Sequence, residues 1–135
     1  MSRYLLDTTA LIDLSKGREP VVSAIREWVM AGDELLVCAV QVAEFYRGVR
    51  PADRDNWDAF FNSLTYLDIS WPAARRAGIV RYEFDRRGLP LQLTDTLIAA
   101  AALEAGVTLV TNNVRHYEPI EGLQLMRLSG DPGAP

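Results

Sequence analysis

The chain has one cysteine, Cys38, one histidine, His116, and a single lysine, Lys16, among its 14 basic residues. One cysteine excludes an internal disulfide framework, and with one histidine it leaves no ligand set for a zinc site. Cys38 lies in an apolar run and is read as buried and inert. No glycine-rich phosphate loop is present, which argues against P-loop nucleotide binding. No uninterrupted apolar stretch approaches a membrane span, and no basic segment followed by a long apolar one opens the chain. The expectation is therefore a cytoplasmic protein with no membrane association. The net charge of −4 over 135 residues means that the surface as a whole does not attract nucleic acid, so any such binding must use local patches. The near-exclusive use of arginine supplies planar forks suited to phosphate and carboxylate.

What is present is one domain's worth of alternating strands and helices. Tyr4-Leu5-Leu6 is a short apolar run that ends abruptly in Asp7-Thr8-Thr9, as expected for a strand buried on both faces of a parallel sheet. Thr8 or Thr9 caps a helix that Gly17 ends, and Pro20 starts a second helix with an apolar stripe from Val21 to Val29. Leu35 to Cys38 reads as a strand, Gln41 to Gly48 as a helix and Asp53 to Leu64 as another. Leu67-Asp68-Ile69 reads as a strand, and Pro72 opens a long helix to about Arg87. Arg75, Arg76, Arg86 and Arg87 on that helix read as a solvated face, with a groove for RNA or a protein contact as the alternative. Thr94 and Asp95 begin an alanine-rich helix stopped by Gly106. Thr108 to Thr111 is a strand, Asn112-Asn113 a polar turn, and Leu123 to Leu128 a last strand. The expectation is a single domain over 1–128 with a Gly- and Pro-rich disordered tail at 129–135. The pattern indicates an α/β fold with a mainly parallel sheet and helices on both faces.

In such sheets the ligand crevice lies beyond the carboxyl ends of the strands. Asp7 ends the first strand, Glu44 lies on the helix after the second, and Asp95 opens the helix before the fourth. The loop after the fourth strand carries Thr111, Asn112 and Asn113. If the sheet is doubly wound, these positions converge at one edge. Clustered carboxylates repel one another, and Mg²⁺ or Mn²⁺, hard cations that prefer oxygen, relieve that repulsion. Such an ion suits phosphodiester cleavage. The plainer reading makes Asp7 and Asp95 helix caps and Glu44 a solvated helix residue. Against it, Glu44 sits in sequence among Val42, Ala43 and Phe45, an apolar surround in which an unpaired carboxylate needs a cation.

Four motifs then match a known family in order and spacing. They are Tyr4 to Thr9, Val42 to Gly48, Thr94 to Ala102, and Leu109 to Tyr117. The chain resembles PIN-domain proteins, specifically the small VapC-type toxin ribonucleases of prokaryotic toxin–antitoxin pairs. The resemblance implies a PIN-like α/β/α sandwich with a mainly parallel four- or five-stranded sheet flanked by helices. It also implies a Mg²⁺- or Mn²⁺-dependent endoribonuclease, a homodimer, inhibited by a VapB-like antitoxin. Asp7, Glu44 and Asp95 match the family's most constant acids, and Thr9 and Thr111 match hydroxyls near the metal. Many members place an aspartate after the fourth strand, where this chain has Asn112-Asn113. Asn113 offers a carbonyl oxygen without charge, which favours one well-held ion.

On this reading Asp7 and Asp95 ligate the ion, and Glu44 ligates it or holds a water on it. In-line hydrolysis would leave a 5′-phosphate and a 3′-hydroxyl, with Thr9, Thr111 and Asn113 orienting ligands, waters or the phosphate. Arg47 contacts RNA phosphate or pairs with an acid. The apolar faces around Trp28 and Trp57-Phe60-Phe61 either receive an antitoxin helix or belong to the core. A haloacid-dehalogenase-type phosphatase would need an aspartate where Thr9 stands. A catalytically silent PIN-like binding module for nucleic acid or protein would show loss of one of the acids, and all three are present. Nothing in the sequence reads a 2′-hydroxyl, so a DNA nuclease stays open.

Overall fold

The structure, a computed structural model, describes residues 1–128. It is built from β1 (Arg3–Leu6), α1 (Thr8–Ser15), α2 (Val21–Met30), β2 (Glu34–Val37) and α3 (Ala39–Tyr46) in its first part. A short 3-10 turn (Pro51–Asp53) leads into α4 (Arg54–Asn62) and β3 (Thr65–Tyr66). Then come α5 (Trp71–Arg86), α6 (Leu93–Ala105), β4 (Thr108–Val110), α7 (Val114–Tyr117) and β5 (Leu125–Met126). The five strands form one parallel sheet in the order β3-β2-β1-β4-β5. Layers of helices cover both faces, the α/β/α sandwich that the alternating pattern predicts. The expected tail at 129–135 lies outside the described residues.

β1 is central, and its alternate side chains face opposite layers. Leu5 joins Leu36, Ile98, Ala99, Ala102 and Leu109 on the side covered by α5 and α6. Tyr4 and Leu6 join Leu11, Val21, Ile25, Val37 and Phe45 on the side of α1 and α2. This two-sided burial is why the strand reads as a continuous apolar run. On the α6 side the helix presents Ala99 to Ala102, all buried, and Ala100 packs with Ala73 and Ala77 of α5. Side chains this small let the two helices approach closely. Gly106 then ends α6 in the left-handed conformation, at φ 67°, where a Cβ would be strained.

Several boundaries differ from the sequence expectations. The third strand is Thr65–Tyr66 rather than Leu67 to Ile69. Leu67 still donates its N–H to the Val37 carbonyl at 2.8 Å, but Leu67 and Ile69 pack beneath α5 instead of extending the ladder. Ser70 accepts the Ala73 N–H and so starts α5 at once. Cys38 ends no strand; it is the residue before α3, and that helix begins at Ala39 rather than Gln41. The last strand pairs only at Leu125 and Met126, because β4 itself is three residues long. α7, beyond the Asn112-Asn113 turn, has no counterpart in the sequence expectations. Arg75, Arg76, Arg86 and Arg87 are all exposed; Arg76 pairs with Glu104 at 3.1 Å, and Arg86 and Arg87 lie over the rings of Tyr82 and Phe84.

The Trp28 ring stacks on Tyr4 with centroids 3.9 Å apart. Trp57, Phe60 and Phe61 form an edge-to-face cluster with Phe45. Both aromatic groups therefore pack against the second core layer.

Candidate active site

Asp7 leaves the carboxyl end of β1 and caps α1. Its Oδ1 accepts the Thr8 N–H at 2.8 Å, and its Oδ2 accepts the Thr111 hydroxyl at 2.7 Å. The residue is 3% exposed. Asp7 is thus a helix cap, as the plainer reading has it, and it stands at the carboxyl edge of the sheet. Burial pushes its carboxyl above the usual aspartate range. The two hydrogen bonds oppose that shift, and the charges of Asp95 and Glu44 add to it.

Asp95 lies in the first turn of α6. Burial also raises its pKa, against the Tyr117 hydrogen bond and the nearby His116, with Glu44 adding repulsion. Its Oδ1 accepts the Tyr117 hydroxyl at 3.2 Å. The Tyr117 phenol is itself pushed far above its ordinary range, first by burial and then by the charges of Asp7 and Asp95. It therefore remains a proton donor.

Glu44 is not the unpaired, enclosed carboxylate that its neighbours in sequence implied. It is half-buried, and its Oε1 accepts the Thr8 hydroxyl at 2.8 Å. The position of Glu44 depends on Gln41, one helical turn earlier and fully buried. The Gln41 amide donates to the Leu6 carbonyl at 3.1 Å, while its oxygen accepts the Cys38 N–H at 3.2 Å and the Cys38 thiol at 2.6 Å. This clip fastens the start of α3 to the end of β1, beside Asp7. Burial raises the Cys38 pKa, in keeping with an inert thiol.

The loop after β4 is bound to the same point. Thr111 accepts the Asn113 N–H at 3.0 Å while donating to Asp7. Thr9 lies 3.5 Å from the Thr111 oxygen and accepts the Asn112 N–H at 3.1 Å. The Asn112 amide donates to Asp13, which also pairs with Arg18 at 3.0 Å. Asn112 Oδ1 is buried and has no partner among the described residues. The Asn113 side chain is exposed, and its backbone rather than its amide enters the network.

Sequence reasoning missed Thr8, Gln41, Asp13 and Tyr117. Thr8 and Tyr117 nevertheless lie within the matching motifs, and Gln41 carried a signal as a polar residue three positions after Cys38 at a helix start. Arg47 is exposed and forms no ion pair among the described residues. With Lys16, Trp57 and Glu44 it lines a cleft of about 400 Å³.

No three His, Cys, Asp or Glu side chains among the described residues stand close enough together to form a ready-made metal cage. Even so, Asp95 and Glu44 act electrostatically on Asp7, so the three acids share one field. The donor set is all oxygen, from carboxylates and threonine hydroxyls, which fits a hard divalent cation. Such an ion uses one or two carboxylates and fills the rest of its shell with water.

A family model described as PIN domain matches residues 4–120. "Ribonuclease VapC19" of Mycobacterium tuberculosis is 30% identical over 122 residues, which span 89% of this chain and 96% of that protein. The VapBC2 structure from Rickettsia felis, bound to a DNA fragment from its promoter, is similar in fold. Its TM-score is 0.83 at 23% identity, covering 94% of this chain and 99% of that one. DNA-bound VapBC from Salmonella typhimurium gives a TM-score of 0.78 at 26% identity, with coverage of 94% and 98%.

Proposed function

The chain belongs to the PIN-domain family, and on that premise we propose that it is a Mg²⁺-dependent endoribonuclease acting as the toxin of a toxin–antitoxin pair, with Mn²⁺ as a substitute ion. The observation that carries this reading is geometric: Thr8 bonds both Asp7 and Glu44, and Thr111 and Tyr117, either side of the loop after β4, hold Asp7 and Asp95. The relatives named as VapC ribonucleases and VapBC complexes support the activity and the partner class.

When bound, the ion supplies an activated water for in-line attack on phosphorus and stabilises charge on the leaving oxygen. Asp7 and Asp95 would hold it, and Glu44 would hold it directly or through a water. Thr111 and Thr8 keep the Asp7 and Glu44 oxygens in place through the hydrogen bonds described above. Thr9 and Asn113 brace the Thr111 hydroxyl, and the Asn113 amide is free to orient a phosphate or a water. Arg47, with Lys16 across the cleft, receives the phosphate backbone of the RNA. The buried position of Asp7 excludes competing waters from one side of the site.

A VapB-like antitoxin would inhibit by bringing positive charge to the three acids. We place the enzyme as a homodimer in the cytoplasm, built on a single domain over residues 1–128. Among the described residues no helix is long and apolar enough to cross a membrane.

The test is RNA cleavage by antitoxin-free protein with Mg²⁺, Mn²⁺ or EDTA, beside a folded Asp95→Asn variant. Cleavage should require the metal and disappear in the variant. Full activity in EDTA, or in Asp95→Asn, overturns the assignment.

A further inference from the structure

Each of the three acids has one oxygen held by a hydroxyl from another part of the chain. Thr111 holds Asp7 at 2.7 Å, Thr8 holds Glu44 at 2.8 Å, and Tyr117 holds Asp95 at 3.2 Å. The third hydroxyl differs from the other two. The threonines lie on the segments that bear the site itself, whereas Tyr117 comes from α7, a single turn beyond the loop that follows β4. Its ring is 1% exposed and packs among Leu5, Leu36, Ile98 and Leu109, so the phenol can move little. Asp95 carries the more adjustable side chain. It is half-buried, and apart from Tyr117 no described residue donates a hydrogen bond to its carboxylate.

We propose that Tyr117 is a positioning residue for Asp95, fixing Oδ1 so that Oδ2 is the oxygen offered to the cation. This rests on the metal-dependent reading above. A phenol anchored in the core removes rotational freedom from the carboxylate before the ion arrives. It also donates to an oxygen that would otherwise be left poorly solvated. Partners of metal ligands of this kind typically change metal affinity by about 10- to 100-fold when they are removed. Tyr117→Phe removes only the hydroxyl and keeps the ring in its packing, so the effect of the hydrogen bond can be separated from that of the core.

The experiment titrates Mn²⁺ into full-length wild type, Tyr117→Phe and Asp95→Asn by calorimetry. RNA cleavage is measured across Mn²⁺ concentrations, and thermal melts are run in EDTA. For Tyr117→Phe the expected result is Mn²⁺ binding weakened about 10-fold or more. Cleavage should be largely restored at high Mn²⁺, with a melt in EDTA close to that of wild type. Unchanged Mn²⁺ affinity in Tyr117→Phe overturns the proposal whatever the melt shows, and a lowered melt with unchanged affinity makes Tyr117 a core residue only. If Asp95→Asn loses Mn²⁺ while Tyr117→Phe keeps it, the positioning role alone falls. If Asp95→Asn retains wild-type Mn²⁺ affinity, the metal reading falls and the role of Tyr117 falls with it.

Discussion

Replacing Asp7 by Asn should separate what this carboxylate costs the fold from what it contributes to the site. The acid is buried, and its pKa in the folded protein is raised, chiefly by desolvation. In the unfolded chain the group titrates near the ordinary value of about 3.9. Between those two values the folded state binds more protons than the unfolded one, so stability falls as pH rises through that window. Above that window the metal-free wild type carries the penalty, and asparagine carries none. Asparagine can also keep the local bonds. Its oxygen accepts the Thr8 N–H, and its amide donates to a Thr111 hydroxyl turned towards Thr9, 3.5 Å away.

Melting in EDTA at pH 7 should therefore leave Asp7→Asn as stable as wild type or more so, with the difference shrinking as pH falls towards the ordinary aspartate value. Mn²⁺ should act in the opposite sense. At a free concentration 100 times its Kd it stabilises wild type by about 2.7 kcal/mol, which raises Tm by about 10 °C for a domain of this size. Asp7→Asn should show almost none of that rise. If the variant melts well below wild type in EDTA by the same amount at pH 7 and at the lowest pH at which both stay folded, its hydrogen bonds outweigh its desolvation and the reasoning fails. A full Mn²⁺ shift in the variant would remove Asp7 from the cation site.

Gln41→Ala should destabilise the protein by roughly 3 kcal/mol in urea unfolding, because it leaves the Leu6 carbonyl and the Cys38 N–H without their buried partner. The same variant should bind Mn²⁺ more weakly, since α3 then carries Glu44 on a looser mount. Asn112→Asp should set a second carboxylate against Asp13, destabilising the fold by about 1–3 kcal/mol at pH 7. That deficit should fade in denaturation curves taken towards pH 4, as the crowded pair takes up a proton. A deficit of equal size at both pH values would trace the effect to lost packing.

The parts of the fold that were legible are those where burial leaves a mark on consecutive residues. Tyr4 to Leu6 and Leu35 to Val37 are apolar on both faces and could be recognised as inner strands. Asp7, Glu44 and Asp95 could be grouped because each follows or precedes a strand at the same edge of the sheet. β3 was misplaced by two residues because Leu67 and Ile69 are as apolar as strand residues but use that character for packing under α5. α7 is four residues long, too short for any helical period to emerge. The hydroxyls that hold the acids were hidden for another reason. Thr8 meets Glu44 across 36 positions and Tyr117 meets Asp95 across 22, and such meetings depend on how the layers stack.

The central place of β1 governs when the protein can become active. The first strand to be made pairs with β4, with Tyr4 beside Thr108, and the Thr111–Asp7 bond joins residues 104 positions apart. A growing chain that already carries Asp7 and Glu44 therefore lacks the helix that brings Asp95 and the strand that closes the sheet around Asp7. Such a chain holds two of its three acids and no crevice to put them in. A chain that ends before β4 therefore has no strand to close the sheet beside β1 and no Thr111 hydroxyl to hold Asp7.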